Sequence, residues 1–347
     1  MKFKSYTLAE LATIKYGKNQ SKVICESSKY PIYGTGGFMG YASRPLYDKP
    51  SVLIGRKGTI GRVKYVEHPF WTVDTLFYTE VNEQIVFPHF LYYAMSLIDL
   101  NIYNEGTTIP SLRTETLNRL ELLIPDIEEQ RKILSILESI DKKIEINNAI
   151  NHNLEQQAFA LFDYLFPNIS DGLCTIGDYI TPKRGRNLLS KDAVPGTVPV
   201  VAGGLEPSTY HNIANTLAPV LTISASGANA GFVNLWHTPV WSSDSSFIDS
   251  SMTEDVYFWF VMLKKRQREI FDAQTGSAQP HIYPQHIAAM TIRSLDKALM
   301  SDFASQVTPL FALIGANKDE NDRLASVRDA LLPKLMSGEI DVSKVEI

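Results

Sequence analysis

Residues 130–166, QRKILSILESIDKKIEINNAINHNLEQQAFALFDYLF, decide the fold. Their seam positions alternate in spacing between four and three residues without a slip, and two asparagines occupy the middle of the series. The positions are Ile133, Leu137, Ile140, Ile144, Asn147, Asn151, Leu154, Ala158, Leu161 and Leu165. This spacing is typical of the seam of a long coiled-coil helix.

A second seam lies 170 positions downstream and repeats the first, including both asparagines. It runs through Phe303, Val307, Leu310, Ile314, Asn317, Asn321, Leu324, Arg328, Leu331 and Leu335. Trp71 and Asp74 recur as Trp241 and Asp244 at the same offset. The sequence therefore predicts an internal duplication, in which a globular domain followed by a long helix occurs twice.

The duplication divides the chain into four predicted segments. Residues 1–125 and 171–295 are globular domains, and residues 126–170 and 296–347 are coiled-coil helices. Short runs of strand character bounded by Gly and Pro, with an aromatic helical stretch after each sheet region, predict a mixed α/β (α+β) domain in each copy. The N-terminal stretch 3–14 has helical spacing and predicts a helix that leads into the first basic loop.

The linker 167–172 is short, so the second domain must begin near the far end of the first helix. The second helix then runs back antiparallel most economically. Asn147 would face Asn321 and Asn151 would face Asn317, where buried amides fix the register of the pair. The alternative is that these asparagines face water. The expected molecule holds two similar domains a fixed distance apart, related by an approximate two-fold axis.

Composition excludes several classes of protein. With 44% hydrophobic and 20% charged residues, the 347-residue chain is ordinary soluble material. We find no membrane span and no signal peptide, and expect a cytoplasmic protein. Cys25 and Cys174 lack any zinc-binding spacing. The net charge of -5 is unusual for a DNA-binding protein, but residues 126–170 carry 8 acidic and only 4 basic side chains, which leaves the globular domains with basic loops.

No catalytic constellation emerges from the motifs. The glycine cluster 34–40 resembles a dinucleotide fingerprint with its third glycine misplaced, and residues 55–61 lack phosphate-loop spacing. His281 and His286 are not spaced for a metal. Asp141, in the Asp-Lys-Lys run of the first helix, is interpreted as part of a solvated charged face. We therefore expect no enzyme activity, no bound metal and no cofactor in this chain.

Basic and polar loops recur at matching places in both copies. Lys18 and Lys22 follow the first helical stretch of copy one, and Lys183, Arg184 and Arg186 follow that of copy two. One such loop alone is usually just solvated, whereas its recurrence favours a shared ligand. The loop 55–61 also places Arg56 and Lys57 beside glycines, which suits close approach to a phosphodiester chain.

The recurrent Trp and Asp pairs are interpreted as scaffold rather than as functional groups. An aromatic side chain beside a buried, hydrogen-bonded acid within strands is more often structural. Trp71 with Asp74, and Trp241 with Asp244, are therefore not proposed as ligand contacts.

Three motifs carry a resemblance to a known family. They are Tyr-Gly-Thr-Gly-Gly at 33–37, Leu-Leu-Ile-Pro-Asp-Ile-Glu-Glu-Gln-Arg at 122–131 and Leu-Leu-Pro-Lys-Leu-Met-Ser-Gly-Glu-Ile at 331–340. With the duplicated layout, the chain resembles the specificity (S) subunit of type I restriction-modification systems over its whole length. The second helix departs from the family pattern, because Arg293-Ser-Leu-Asp-Lys-Ala lacks the Pro-x-x-Glu-Glu-Gln start.

The resemblance implies two target recognition domains, each of which binds one half of a bipartite, asymmetric site on double-stranded DNA. It also implies that the helices dock two methyltransferase (M) subunits and that restriction (R) subunits join through them. S-adenosylmethionine, ATP and Mg²⁺ would be bound only by those partners. The competing hypothesis is a structural coiled-coil adaptor that joins two protein partners without reading DNA.

Carried over to this sequence, the resemblance selects contact residues in each recognition domain. Those of the first are Tyr16, Lys18, Lys22, Thr35, Arg56, Lys57, Thr59, Thr107 and Thr108. Those of the second are Lys183, Arg184, Arg186, Asn187, Ser226, Asn229, Ser277 and Gln279. The Arg and Lys side chains are expected mostly on phosphates, and the three amides Asn187, Asn229 and Gln279 can pair with adenine.

Overall fold

A computed structural model describes residues 2–276 and 279–343 of the chain. Packing divides the chain into two compact units: unit 1 comprises residues 1–144 and 323–347, and unit 2 comprises residues 145–322. Each unit combines one globular part with a segment of both long helices. The compact units therefore do not coincide with the four predicted segments, which stay predictions as functional domains.

Unit 1 is built from short strands and several helical segments. Its strands are β1 (Lys4–Thr7), β2 (Ala12–Tyr16), β3 (Tyr30–Gly34), β4 (Gly37–Ala42), β5 (Ser51–Gly55), β6 (Val63–Val66), β7 (Trp71–Thr72), β8 (Leu76–Val81) and β9 (Glu121–Ile124). Its helices are α1 (Leu8–Leu11), α2 (Pro88–Ser96), α3 (Thr114–Asn118) and the first part of α4 (Ile127–Leu165). The last part of the C-terminal helix also belongs to it.

Three small sheets organise unit 1. Strands β2, β8, β5 and β6 form an antiparallel sheet in that order, and β1 pairs with β9. Strand β3 pairs antiparallel with β4 and parallel with β7. Strand β5 is buried on both faces, as its continuous apolar run predicts. The aromatic helix α2 packs on this sheet, with Phe90 and Leu91 buried.

Unit 2 has the same strand order and the same strand directions as unit 1. Its strands are β10 (Cys174–Thr175), β11 (Lys183–Arg184), β12 (Val198–Val201), β13 (Thr209–His211), β14 (Val220–Ser224), β15 (Val233–Trp236), β16 (Trp241–Ser242), β17 (Ser245–Asp249) and β18 (Thr291–Ile292). Its helices are α5 (Val256–Lys265), α6 (Gln267–Asp272), α7 (Pro284–Ala288) and most of α8 (Lys297–Ser337).

The sheets of unit 2 are β11-β17-β14-β15, β13-β12-β16 and β10-β18. Each pairing has the direction of its counterpart in unit 1, including the single parallel pairing, β12 with β16. A duplication would produce this shared topology. The predicted mixed α/β class with two long helices is confirmed.

Both helices bury one face in the globular parts. In unit 2, Phe162 of α4, Phe166 just after that helix and Phe303 of α8 surround Phe258 of α5, with ring centroids 5.0 to 6.1 Å from that ring. In unit 1, Leu137 of α4 and Leu335 of α8 join the core beneath α2. The seams predicted from spacing therefore contact the sheet domains as well as each other.

The start of α4 is fixed by a buried glutamine. The Gln130 side chain donates to the carbonyls of Ile85 (2.8 Å) and Pro125 (2.9 Å) and accepts from the Phe87 amide (2.9 Å). At the matching place in α8, Met300 is buried among apolar side chains instead. The Pro-x-x-Glu-Glu-Gln start of α4 thus makes an intrachain contact through Gln130 in unit 1. At the start of α8, apolar packing takes the place of that contact.

The seam asparagines contact one another within unit 2. The Asn147 amide donates to Asn321 Oδ1 at 2.9 Å, and the Asn317 amide donates to Asn151 Oδ1 at 2.8 Å. Asn147 is fully buried. The two helix segments of this unit are therefore antiparallel. That these amides set the register stays a prediction.

In unit 1 one member of the charged run of α4, Asp141, is not part of a solvated face, and the sequence interpretation is wrong for this residue, whereas Lys142 and Lys143 are exposed. Asp141 accepts from the Tyr93 hydroxyl at 2.5 Å and pairs with Arg328 of α8 at 2.8 Å. Burial and this hydrogen bond raise the pKa of Tyr93. The positive charge of Arg328, at a seam position, is thus neutralised by the half-buried Asp141 carboxylate. A half-buried cation requires such a partner.

Two predicted elements are broken in the structure. The stretch 3–14 is not one helix, because only Leu8–Leu11 is helical and strands lie on either side. Its apolar spacing arises from Leu8 and Leu11, which are buried, followed by the alternating strand β2. The run 72–81, one of the stretches of strand character in the sequence, is interrupted by a turn at Val73–Thr75, and β7 and β8 pair in different sheets.

One helix, α8, is long and apolar enough by length and composition alone to cross a membrane. Its most apolar 18-residue window has a mean hydropathy of 1.2, and 33% of that window is buried. The buried third includes Phe303, Val307 and Phe311, which pack in the core of unit 2. A helix with about one third of its residues buried has the pattern of an amphipathic helix that packs on a protein core.

Candidate nucleic-acid interface

The recurrent tryptophans hold the first basic loop in each unit. The Trp71 indole donates to the Lys18 carbonyl at 2.8 Å, and the Trp241 indole donates to the Arg186 carbonyl at 2.8 Å. The amide of Lys18 donates to the Thr72 carbonyl in turn. Both cationic side chains are exposed. A buried aromatic ring thereby fixes the backbone from which an exposed cation projects.

A glycine before each of these cations permits the close contact. A Cβ on Gly17 would lie 2.0 Å from the Val73 carbonyl oxygen, and a Cβ on Gly185 would lie 2.5 Å from the Ser242 carbonyl oxygen. No other residue type fits at these distances without a shift of the backbone. The loop is therefore seated on the sheet edge in the same way in both units.

In unit 1 an arginine connects the basic loop to the turn after β5. The Arg56 guanidinium donates to the Asp74 carbonyl at 2.8 Å and lies over the Tyr16 ring, 5.0 Å from its centroid. Tyr16 in turn packs edge-on against Phe77. Cation–π contact of this kind contributes about 0.5–1 kcal/mol at exposed sites. Two predicted contact residues are thus brought together on one surface.

The turn after β5 also meets the later polar loop. In unit 1 the Gly58 amide donates to the Pro110 carbonyl at 2.9 Å, and in unit 2 the Gly227 amide donates to the Pro280 carbonyl at 3.1 Å. Lys57 and Ser226 form isolated bridges to the strand-like residues that follow those prolines. The same three loops therefore converge in each unit.

In unit 2 a carboxylate organises the corresponding surface. Asp244 Oδ1 accepts from the Arg184 guanidinium at 2.5 Å, and Asp244 Oδ2 accepts from the Ser226 hydroxyl. Asp244 is partly exposed, so the pair faces solvent at the surface where Arg186 projects. Arg184 is held in place and its charge is compensated, while Arg186 makes no ion pair among the described residues.

The comparisons with known proteins agree with this layout. A family model described as type I restriction modification DNA specificity domain matches residues 1–156. The type I restriction enzyme MjaIX specificity subunit of Methanocaldococcus jannaschii is 26% identical, over 86% of this chain and 80% of its own. The putative type I specificity subunit S.MpnORF638P of Mycoplasma pneumoniae is 24% identical, over 95% of this chain and 94% of its own.

A crystal structure of a type I restriction-modification system S subunit from M. genitalium shares the fold. It has a TM-score of 0.59 and 20% identity, with 96% of both chains covered. The chain is similar to type I specificity subunits, and its first 156 residues match their DNA specificity domain. It is a non-catalytic DNA sequence-specificity subunit that assembles with partner subunits and DNA, and a purely structural adaptor is not favoured.

The recurrent acids are not the buried acids within strands that the sequence interpretation expected. Asp74 is an exposed turn residue that meets Arg56 through its backbone carbonyl only. Asp244 does make hydrogen bonds, but they hold Arg184 and Ser226 at the surface rather than within a strand. For Trp71 and Trp241 the contacts are those of a scaffold.

Most other predicted contact residues lie on or beside the three loops, and Thr35 lies in the turn between β3 and β4; among the described residues they form no hydrogen bonds or ion pairs with one another. Asn187 meets only Ser243, at 3.5 Å. The exposed ones are Lys22, Thr59, Thr107, Thr108, Lys183, Asn187 and Gln279, whereas Thr35 and Asn229 are partly buried. Ser277 lies outside the described residues. The sequence singled out Asp244 but did not predict its contacts with Arg184 and Ser226, because both partners are distant in the chain.

Proposed function

We propose that the two units read the two different halves of a bipartite, asymmetric site on double-stranded DNA. The observation that supports this proposal is that the two units share one arrangement of loops, whereas the side chains on those loops differ. Unit 1 presents Arg56 and Lys57 on the turn after its central strand, whereas unit 2 presents an uncharged turn with Ser226 beside Arg184 and Asp244. Two units with the same loop arrangement but different side chains bind different half-sites, because base contacts depend on the side chains.

Within each surface we assign phosphate and base contacts by chemistry. Lys18, Lys57 and Arg186 are exposed and make no ion pair among the described residues, which suits phosphate binding. Asn187 and Gln279 are exposed amides that can donate and accept together, as adenine requires in the major groove. Arg184 is oriented by Asp244 and is better suited to one fixed base contact than to a mobile phosphate contact.

We place the reactions in the partners. The chain would dock two methyltransferase subunits and, through them, restriction subunits, in a cytoplasmic complex. S-adenosylmethionine, ATP and Mg²⁺ would be held by those subunits. The support is the similarity of this chain to type I specificity subunits, together with exposed cations and amides on the described loops that suit contact with DNA.

Genome-wide mapping of methylated adenine tests the assignment of half-sites. Cells would carry the chain unchanged, with Arg186→Ala or with Lys57→Ala. We expect Arg186→Ala to weaken methylation through the half-site of unit 2, and Lys57→Ala through that of unit 1, with the complex still assembled. Each variant controls for the other. Unchanged methylation with both variants at native salt would contradict the proposal.

A further inference from the structure

The hairpin of β3 and β4 in unit 1 carries two adjacent apolar side chains into solvent. Phe38 is 57% exposed and Met39 is 56% exposed, immediately after the turn Gly34-Thr35-Gly36-Gly37. Strict strand alternation would turn one of two neighbours inward. Exposed apolar neighbours at a hairpin tip mark a surface that another molecule covers.

Backbone geometry keeps both side chains outward. Gly37 has φ +111° and Gly40 has φ +133°, so the strand is distorted on either side of the pair. A register shift between Ile32 and Tyr33 on the partner strand accompanies this distortion. Tyr41 packs edge-on against Phe38, with ring centroids 5.0 Å apart, and thereby supports the ring from one side. The hairpin tip therefore holds its two exposed apolar side chains in a defined backbone conformation.

This edge is continuous with the candidate DNA surface. The Thr35 hydroxyl lies 3.9 Å from the point where a Cβ on Gly58 would be, in the turn that carries Arg56 and Lys57. The Met39 sulfur lies against the Gly34 backbone, beside Val73. A polyanion held by the cationic turn would therefore pass next to the hairpin tip. That adjacency favours DNA as the occupant over an apolar protein surface.

We propose that Phe38, with Met39 beside it, inserts as an apolar wedge at a base step of the half-site bound by unit 1. The inference rests on the proposed function of that unit. Proteins that wedge Phe, Met or Leu between base steps open the stack and bend the duplex, which makes deformable steps part of the recognised sequence. Phe38 is then a specificity-determining residue that reads base-step flexibility rather than base edges.

Unit 2 has a related feature at the same place in its topology. Leu205 follows Gly203 and Gly204 after β12 and is 49% exposed. A Cβ on Gly203 would lie 2.5 Å from the Ser226 carbonyl oxygen, so this tip also adjoins its DNA surface. A leucine is a weaker wedge than a phenylalanine supported by a second ring. The deformation is therefore larger in the half-site of unit 1.

The test uses the complex purified from cells through a tag on this chain, with a duplex that carries its mapped methylation target. Aminopurine, a base analogue that fluoresces when unstacked, replaces adenine at successive steps of the unit 1 half-site. We expect the wild-type complex to raise fluorescence at one step. Phe38→Ala should abolish that rise and weaken binding about tenfold, as loss of one stacked base does.

Matched measurements separate this proposal from the proposed function. Leu123→Ala removes an equally exposed apolar side chain on β9 and should change neither signal. Phe38→Ala should leave the salt dependence of binding unchanged, whereas Lys57→Ala should reduce it. Wild-type affinity and fluorescence with Phe38→Ala would overturn the wedge. If the wild-type complex shows no salt-dependent binding of the target, it is the DNA-reading function that fails.

Discussion

At the scale of single residues, glycine and tryptophan set the position of the exposed cations on the basic loops. Gly17 and Gly185 let the loop backbone lie against the sheet, and Trp71 and Trp241 bind that backbone from below. The cation itself adds little to folding, since it is exposed. Position and charge are thus supplied by different residues, and each can be altered alone.

Gly17→Ala is expected to displace the first basic loop. The new Cβ would meet the Val73 carbonyl oxygen at 2.0 Å, so the backbone must shift. Methylation through the half-site of unit 1 should fall at least tenfold, with the complex still formed. Gly36→Ala is the control, because a Cβ there meets nothing within 4 Å. Equal methylation by the two variants would contradict this role of Gly17.

His237 should make unit 2 sensitive to acid. Burial, and secondarily Lys318, lower the pKa of His237 to about 4, and its Nε2 has no hydrogen-bond partner. The unfolded chain binds the proton near pH 6.5, so stability is full above that value and is lost as pH falls towards 4. At pH 5 the loss is about 2 kcal/mol.

Unfolding in denaturant at pH 7 and at pH 5 measures this loss. His237→Gln should remove about that much of the difference between the two pH values, whereas the same change at the exposed His152 should remove little. If the wild-type chain and His237→Gln respond identically to pH, His237 is not responsible.

At the scale of elements, regular long segments were predictable and short irregular ones were not. Ten seam positions in register made each long helix unambiguous, because apolar spacing over that length arises rarely by chance. The stretch 3–14 failed because Leu8, Leu11 and Ile14 match a helical period while belonging to a four-residue helix and a strand. The contact between Asp244 and Arg184 was not predicted, because the two residues are 60 positions apart in the chain.

Gln130 connects the first helix to the sheet domain, and its replacement tests that link. Gln130→Met should cost about 1–3 kcal/mol, because the Phe87 amide and two carbonyls lose their partner. Gln156→Met, the same change on the exposed face of α4, should be nearly neutral. Denaturant unfolding of the two variants decides the point. A similar stability for both would mean that the apolar packing seen around Met300 suffices at α4 as well.

At the scale of the whole molecule, net charge conceals the binding surface. The chain carries -5 overall, yet its acidic residues are concentrated in the helices while the loops that converge in each unit keep exposed cations. Attraction to phosphate depends on local charge within about a Debye length rather than on the total. An acidic protein is therefore compatible with DNA reading.

The salt dependence of binding should locate those cations. The double variant Lys18→Ala with Lys57→Ala is expected to reduce the slope of log affinity against log salt by about 2, one unit for each lost phosphate contact. Lys142→Ala, on the exposed face of α4, should leave the slope unchanged. Titrations of the complex at several salt concentrations provide the measurement. A slope that drops equally with Lys142→Ala would place the DNA on the helices.

The discontinuity of unit 1 has a consequence for how the protein is made. Its core includes Leu335, Met336 and Val342, which follow all of unit 2 in the chain, whereas unit 2 is a single contiguous stretch. A nascent chain that has emerged only as far as residue 322 already contains all of unit 2 but not the residues that close unit 1. Unit 1 therefore begins before unit 2 in the chain but is completed after it, and a chain halted at residue 322 would leave unit 1, not unit 2, unfinished.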